Sequence, residues 1–342
     1  MKALLFTQLQ EMVWTEVPDP VLDSSHSVLV RMGAVGICGS DIQGYLGLTG
    51  RRIPPMIMGH EMAGLVEKTI GPTSFRKGQK VIVMPFVNCG LCENCRSGKT
   101  NFCINPKEYY GILSDNGGMA EYLAIDEYHL IPIPDYVDLK VAALAEPLAV
   151  AYGGVEKIDI KDSKPILIIG AGTIGLFVLS ILKSLGKENV FVCDMNQRRL
   201  SIAKKLGAEH VKQLGFEDDD TWMQICTHNN GFNYIIDAVG VSATYTLSVK
   251  WASRGASLVW IGNASKMVSI PIPDLIMREL TIHGSFIYND ETFRKSIELL
   301  VNESERFAQI IELVAPMSTG ADVFKRLAIE KQDIIKAILV RE

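Results

Sequence analysis

The alternation of apolar and polar positions changes character twice along the chain. Up to about residue 135, short apolar runs (Ala3–Phe6, Val28–Ala34 and VIVMPFV at 81–87) are separated by turn signals at Pro18-Asp19-Pro20, Gly71-Pro72 and Gly78. Runs this short, punctuated by Pro and Gly, predict a small all-β region. AEYLAI at 120–125 continues it, and Pro132 and Pro134 end it. Val141–Val155 then takes on helical spacing, interrupted at Glu146-Pro147. From residue 165 the pattern becomes strand, helix, strand. Ile166–Ile169 is too short for a helix and reads as a buried strand. A helix runs from about Leu176 to Leu185, with Gly186 as its C-cap. Strand Asn189–Cys193, helix Gln197–Leu206, His210-Val211, strand Tyr234–Asp237, a helix over about 243–252 and strands Ser257–Gly262 and Leu280–Gly284 follow. This alternation predicts a doubly wound parallel sheet with ligands at the carboxyl ends of its strands. Thr292–Val301 and Asp322–Ala328 read as helices, and Ile334–Val340 as a closing strand.

Composition narrows the class. The chain has 342 residues, 48% hydrophobic and 21% charged, which suits a soluble protein of about two domains. No apolar run reaches the roughly 18 residues of a membrane span. Gln8, Gln10 and Glu11 break any signal-peptide core. No membrane partner is expected, and the cytoplasm is the expected compartment. A net charge of −5 disfavours a nucleic-acid partner. The acidic run Glu217–Asp220 reads as a solvated loop or helix start.

The first chemical signal is Gly170-Ala171-Gly172-Thr173-Ile174-Gly175, lying between a predicted strand and a predicted helix. The next strand ends at Asp194, nineteen residues past the last glycine. Each part has a physical role in dinucleotide binding. Gly170 permits a tight turn. Gly172 lets backbone N–H groups approach a pyrophosphate, beside Thr173 and Ile174. Gly175 lets helix and strand pack closely. The helix N-terminus favours the phosphate charge. Asp194 can accept hydrogen bonds from the adenosine ribose and would repel a 2′-phosphate, so NAD is expected rather than NADP. Arg199 could pair with the adenosine end or sit on the solvated helix face. Gly262 and Ser285, Phe286 and Ile287 end strands where the nicotinamide is expected.

The second signal is Cys89, Cys92, Cys95 and Cys103, spaced C-x2-C-x2-C-x7-C. Four thiolates on a tight loop satisfy tetrahedral zinc with no open position, which makes such a site structural. An iron–sulfur cluster is the alternative that spacing alone leaves open. Disulfides are disfavoured by the absence of export signs. Cys38, His60, Glu61 and Glu146 remain as further ligand candidates. Glu146 stands out because a carboxylate inside an apolar stretch is costly unless it is paired or ligating.

Gly36-Ile37-Cys38-Gly39-Ser40-Asp41 and Gly59-His60-Glu61 resemble the metal-binding segments of the zinc-dependent medium-chain dehydrogenases. The cysteine lobe and GAGTIG follow in the same order as in that family. The resemblance covers essentially the whole chain. It implies an α/β fold in which a Rossmann doubly wound parallel sheet is inserted in a GroES-like β-rich catalytic domain. The expected boundaries are 1–147 for the catalytic domain with its structural zinc lobe at about 88–104, 148–286 for the NAD-binding domain, and 287–342 for a return to the catalytic part. Ala145-Glu146-Pro147-Leu148 resembles the polyol branch, that of sorbitol and galactitol-1-phosphate dehydrogenases. By that resemblance Cys38 and His60 ligate a catalytic zinc, Glu61 and Glu146 complete its shell directly or through water, and Ser40 relays a proton. Two zinc ions per subunit and NAD are the implied cofactors, with a homodimer or homotetramer as the implied assembly.

The implied reaction is oxidation of a secondary hydroxyl of a polyol or polyol phosphate to a ketose, for example galactitol 1-phosphate to tagatose 6-phosphate. Sorbitol, threonine or butanediol are the alternatives within the family. Ile287 replaces what looks like an arginine in animal sorbitol dehydrogenases. A phosphate would need a positive anchor, for which Arg51, Arg52 and Lys107 are candidates if they are not ordinary surface charges. Tyr45 could border the cleft or belong to the core. A non-enzymatic, dinucleotide-sensing relative and a nucleic-acid-binding zinc protein are the readings from other classes. The intact Cys38 and His60 oppose the first, and the acidic charge and Rossmann pattern oppose the second.

Overall fold

Val28–Ile37 organises the first half of the molecule. Its side chains alternate between buried and half-buried positions until the last four, which are all buried, as for a strand that leaves a solvated sheet face and enters a core. In the computed structural model, which describes residues 1–24, 27–215 and 218–342, this strand pairs antiparallel with Glu61–Thr69 and with the C-terminal strand Lys336–Val340. Tyr122–Ile125 pairs with its first half. The spatial order of the sheet is Leu130–Pro132, Lys80–Val83, Glu61–Thr69, Val28–Ile37, Lys336–Val340, Ile311–Pro316. Leu4, Phe6, Met32, Met58, Met62 and Phe324 fill the core beside it. Tyr45 belongs to this core at 4% exposure, donating its hydroxyl to the Gln10 carbonyl at 2.6 Å.

A second sheet is built from parallel strands in the order His210–Gln213, Val190–Asp194, Ile166–Ile169, Phe232–Asp237, Ala252–Trp260, Thr281–Gly284. The earliest strand in sequence lies third in space, the doubly wound order in which the strand direction of travel reverses beside it. Leu167, Phe191, Phe232 and Trp251 pack one of its faces. The chain divides into two compact units, Met1–Glu146 with Asn289–Glu342, and Pro147–Tyr288.

Three details depart from the sequence pattern. The helix after the glycine turn begins at Thr173 rather than Leu176. The break in the 141–155 stretch falls before Ala145, between helices Leu139–Ala142 and Ala145–Val155. Pro147 then occupies the first turn of the second helix, where a missing N–H costs no intrahelical bond. In the acidic run, Asp219 and Asp220 open the helix Asp219–Cys226 and Asp218 precedes it, while Glu217 lies outside the described residues. Among the described residues no helix is long and apolar enough to cross a membrane.

Candidate active site

The antiparallel register Gly36↔Glu61 brings the end of one strand against the start of its neighbour. Cys38 leaves the first strand and His60 enters the second, so the two become spatial neighbours through sheet pairing alone. One candidate ligand atom from each of Cys38, His60 and Glu61 lies within 4.8 Å of the others. Gly36 makes room for this: a Cβ there would lie 1.8 Å from Glu61 Oε2. His60 is 3% exposed and Glu61 fully buried.

Cys38 also caps the helix Gly39–Tyr45. Its Sγ accepts the Ser40 N–H at 3.4 Å, and its own N–H is accepted by Asp41 Oδ2 at 3.1 Å. The other Asp41 oxygen accepts from Arg52 Nη2 at 2.8 Å and lies 3.3 Å from His60 Nδ1. Burial would raise the Asp41 pKa, but the His60 and Arg52 charges outweigh it and hold the carboxyl well below its usual range. Arg52 Nη2 also donates to Ser40 Oγ at 3.0 Å. Glycine at position 44, inside a helix where it costs about 1 kcal/mol, is explained by the same arginine: a Cβ there would lie 2.3 Å from Arg52 Cγ. Arg52 is therefore no surface charge, whereas Arg51 and Lys107 are exposed.

The two glutamates differ. Both Glu61 carboxylate oxygens accept from Lys336 Nζ at 2.8 Å, and that ammonium also donates to the Ile37 carbonyl at 3.2 Å. Glu146, 4% exposed in the first turn of its helix, lies outside the three-residue cluster. Its charge still reaches the cluster's surroundings: burial first, then Glu146 and Cys38, raises the Tyr109 phenol well above its ordinary value. A soft sulfur, an imidazole and a nearby carboxylate form the donor set of a zinc site that keeps one position open.

The second cluster is Cys89, Cys92, Cys95 and Cys103, with all four Sγ atoms within 4.8 Å of one another. All seven cysteines of the chain are free. Sγ separations of 3.4 Å for Cys92–Cys95 and 3.9 Å for Cys89–Cys95 bracket the edge of about 3.8 Å of a tetrahedron with 2.3 Å zinc–sulfur bonds. Backbone N–H groups of Cys89, Leu91 and Cys92 point at these sulfurs. N–H groups pull the Cys92 thiol down to about 6, while burial and its thiol neighbours push Cys95 up to about 12. Four thiols this close hold their protons unevenly, and a divalent cation resolves that crowding. The residues fit zinc at both clusters.

In the second unit, the turn Gly170–Gly175 follows strand Ile166–Ile169 as the fingerprint requires. Gly170 has φ of +98° and a Cβ on Gly175 would lie 1.8 Å from the Gly170 carbonyl oxygen, so neither tolerates a side chain. Thr173 and Ile174 start the helix that follows. Asp194 closes the adjacent strand, its two oxygens accepting the Ala171 N–H at 2.7 Å and the Asn196 N–H at 2.8 Å. Arg199 reaches back over the turn, with Nη1 3.7 Å from where a Gly172 Cβ would stand. Gly262, Ser285, Phe286 and Ile287 all follow the carboxyl ends of their strands. In a parallel sheet that is the edge carrying the glycine turn. The Gly262 carbonyl accepts the Tyr245 hydroxyl at 2.6 Å, and Ser285 N–H donates to the Trp260 carbonyl at 3.0 Å.

Sequence reasoning missed three participants: the bracing role of Asp41, the burial of Arg52, and Lys336. An aspartate three residues after a capping residue is the signature of a capping box and could have exposed the first. A glycine inside a short helix could have hinted at the second. Lys336 lies 275 residues from Glu61 and carries no local signal.

Two family models match the chain, an alcohol dehydrogenase GroES-like domain over residues 24–135 and a zinc-binding dehydrogenase domain over residues 173–302. An uncharacterized zinc-type alcohol dehydrogenase-like protein of Haemophilus influenzae is 32% identical, covering 91% of this chain and 90% of the relative. Sorbitol dehydrogenase of Bacillus subtilis is 28% identical, covering 99% and 97%. Among solved structures, a short chain alcohol dehydrogenase from Escherichia coli CFT073 complexed with NADH superposes with a TM-score of 0.89 at 26% identity, covering 99% of both chains.

Proposed function

The chain belongs to the zinc-dependent alcohol dehydrogenase family, and from that premise we propose that it uses NAD and zinc to oxidise a secondary hydroxyl of a free polyol or diol to a ketone. The carrying observation is Cys38 and His60, held at adjoining strand ends beside Ser40 and a buried glutamate. Zinc bound there supplies Lewis acidity, which lowers the pKa of a hydroxyl in its open position. The chain's own residues do the rest. Cys38 and His60 would hold the ion, with Glu61, engaged by Lys336, and the buried Glu146 as the carboxylates that complete the shell directly or through water. Ser40 takes the substrate proton. The Gly170–Gly175 turn binds the pyrophosphate, and Asp194, already oriented by two backbone N–H groups, selects the ribose hydroxyls of NAD. Gly262 and Ser285–Ile287 border the nicotinamide. The second zinc, held by Cys89, Cys92, Cys95 and Cys103, is structural.

A free polyol is favoured over a polyol phosphate because the arginine nearest the metal cluster is already matched. Arg52 is 4% exposed and paired with Asp41. Assembly as a homo-oligomer is part of this reading: Thr281–Gly284 is one of the two edge strands of its sheet, and a sheet edge is a pairing surface. A sedimentation experiment giving a monomer at working concentration rejects that part.

The test is NADH production by the zinc-loaded enzyme on sorbitol, butanediol, galactitol and galactitol 1-phosphate. A higher kcat/KM on a free polyol or diol is expected. A higher value on the phosphate overturns the free-polyol reading. Cys38→Ala is expected to abolish turnover while NAD binding persists, and unchanged turnover rejects the enzyme reading itself.

A further inference from the structure

Arg52 is built into the surroundings of the metal cluster through Ser40 and Asp41. Arg52 is 4% exposed. Its stem lies on Gly44, where a Cβ would come within 2.3 Å of Cγ and 2.9 Å of Cβ of the arginine. Its Nη2 donates twice, to Ser40 Oγ at 3.0 Å and to Asp41 Oδ1 at 2.8 Å. That same Asp41 oxygen faces His60 Nδ1 at 3.3 Å, and Asp41 Oδ2 holds the Cys38 N–H. A single nitrogen therefore joins the Ser40 hydroxyl to the carboxylate that touches both Cys38 and His60.

We propose that Arg52 is a positioning residue for proton transfer, fixing the Ser40 hydroxyl in one rotamer and locking it to the Asp41 brace. The chemistry follows from counting lone pairs. A serine hydroxyl has one hydrogen and two lone pairs. One lone pair is committed to Arg52, which as a permanent cation can donate but cannot accept a proton. Ser40 then keeps one lone pair and one hydrogen for relay. The substrate O–H breaks as its proton moves to the free lone pair of Ser40, and the original Ser40 hydrogen passes to water. Ser40 ends as it began, and no electrons move in this step. Without Arg52 the hydroxyl can rotate and its acceptor lone pair is no longer aimed. Positioning errors of this kind reduce kcat rather than binding.

This inference rests on the proposed reaction, and the experiment separates the two. Arg52→Gln, Arg52→Lys and Gly44→Ala are compared with wild type and with Cys38→Ala. Gly44→Ala pushes the arginine stem aside without deleting its charge. The expected result for Arg52→Gln is a kcat at least about tenfold lower with a larger solvent deuterium isotope effect, while NAD affinity and zinc content match wild type. Gly44→Ala reproduces this, and Arg52→Lys recovers part of the rate. A readout independent of turnover is the crystal structure of Arg52→Gln, in which Ser40 is expected in more than one rotamer. Wild-type kcat and isotope effect in Arg52→Gln overturn the proposal, as does a single Ser40 rotamer. Loss of zinc or of the fold in all three variants assigns Arg52 to structure alone and also overturns it. If Cys38→Ala retains full turnover, it is the reaction itself that fails, whatever the arginine variants do.

Discussion

Asp194 does two things with one carboxylate. It accepts the Ala171 and Asn196 N–H groups, and in the proposed reading it also repels a 2′-phosphate. Asp194→Ser removes the repulsion and loosens the turn at once. NAD kcat/KM is expected to fall and the NAD-to-NADP preference to drop at least about tenfold, since like-charge exclusion is worth several kcal/mol. Steady-state kinetics with both cofactors check this, and an unchanged preference refutes the assigned role. This residue is legible in the sequence because its context is local: strand, glycine turn, helix and acid lie within thirty residues. The cysteine quartet is legible for the same reason. Arg52 and Lys336 are not, because burial and partners decide their roles. Arg52 looks like a surface arginine until Gly44 and Asp41 close around it. Lys336 meets Glu61 only because the C-terminal strand pairs with Val28–Ile37, the strand beside Glu61–Thr69.

The helix Asp290–Asn302 shows how an element is tied down by one side chain. Its first residue, Asp290, accepts from the Thr100 hydroxyl at 2.6 Å, the Tyr128 hydroxyl at 2.9 Å and the Asn88 amide at 3.3 Å. Asn88 and Thr100 flank three of the four cysteines of the lobe. The returning helix and the lobe are thus clasped by one carboxylate. Removing it leaves three polar donors short of a partner, each costing about 1–3 kcal/mol where buried. Asp290→Ala is expected to lower stability to urea by about 2–4 kcal/mol and to speed zinc loss from the lobe to a chromogenic chelator. Wild-type release kinetics in a destabilised Asp290→Ala would mean that the clasp holds the helix alone. At this scale the pattern identified most elements but misplaced their ends. The helix at 145–155 begins in front of Pro147 because a first-turn proline is harmless there. The lengths and pairing of the antiparallel strands depend on partners distant in sequence, such as Tyr122–Ile125 on Val28–Ile37.

The whole molecule places its two kinds of candidate ligand site in different units. Both metal-ligand clusters among the described residues lie in Met1–Glu146 with Asn289–Glu342, and the dinucleotide turn with Asp194 lies in Pro147–Tyr288. The first unit depends on the pairing of the C-terminal strand with Val28–Ile37 and on a lobe of four clustered cysteines suited to a metal ion. The second has a parallel sheet of branched apolar residues and needs no metal in its core. Stripping zinc should therefore weaken the first unit and leave the second intact, so calorimetry of the zinc-free protein should resolve two transitions. NAD at one hundred times its dissociation constant stabilises the fold it binds by about 2.7 kcal/mol. For a unit of this size that is a rise of roughly 10 °C, and it should appear in one transition only. Zinc should raise the other. A single transition that zinc and NAD move together would show that the units unfold as one, and that stability, unlike ligand binding, is not divided between them.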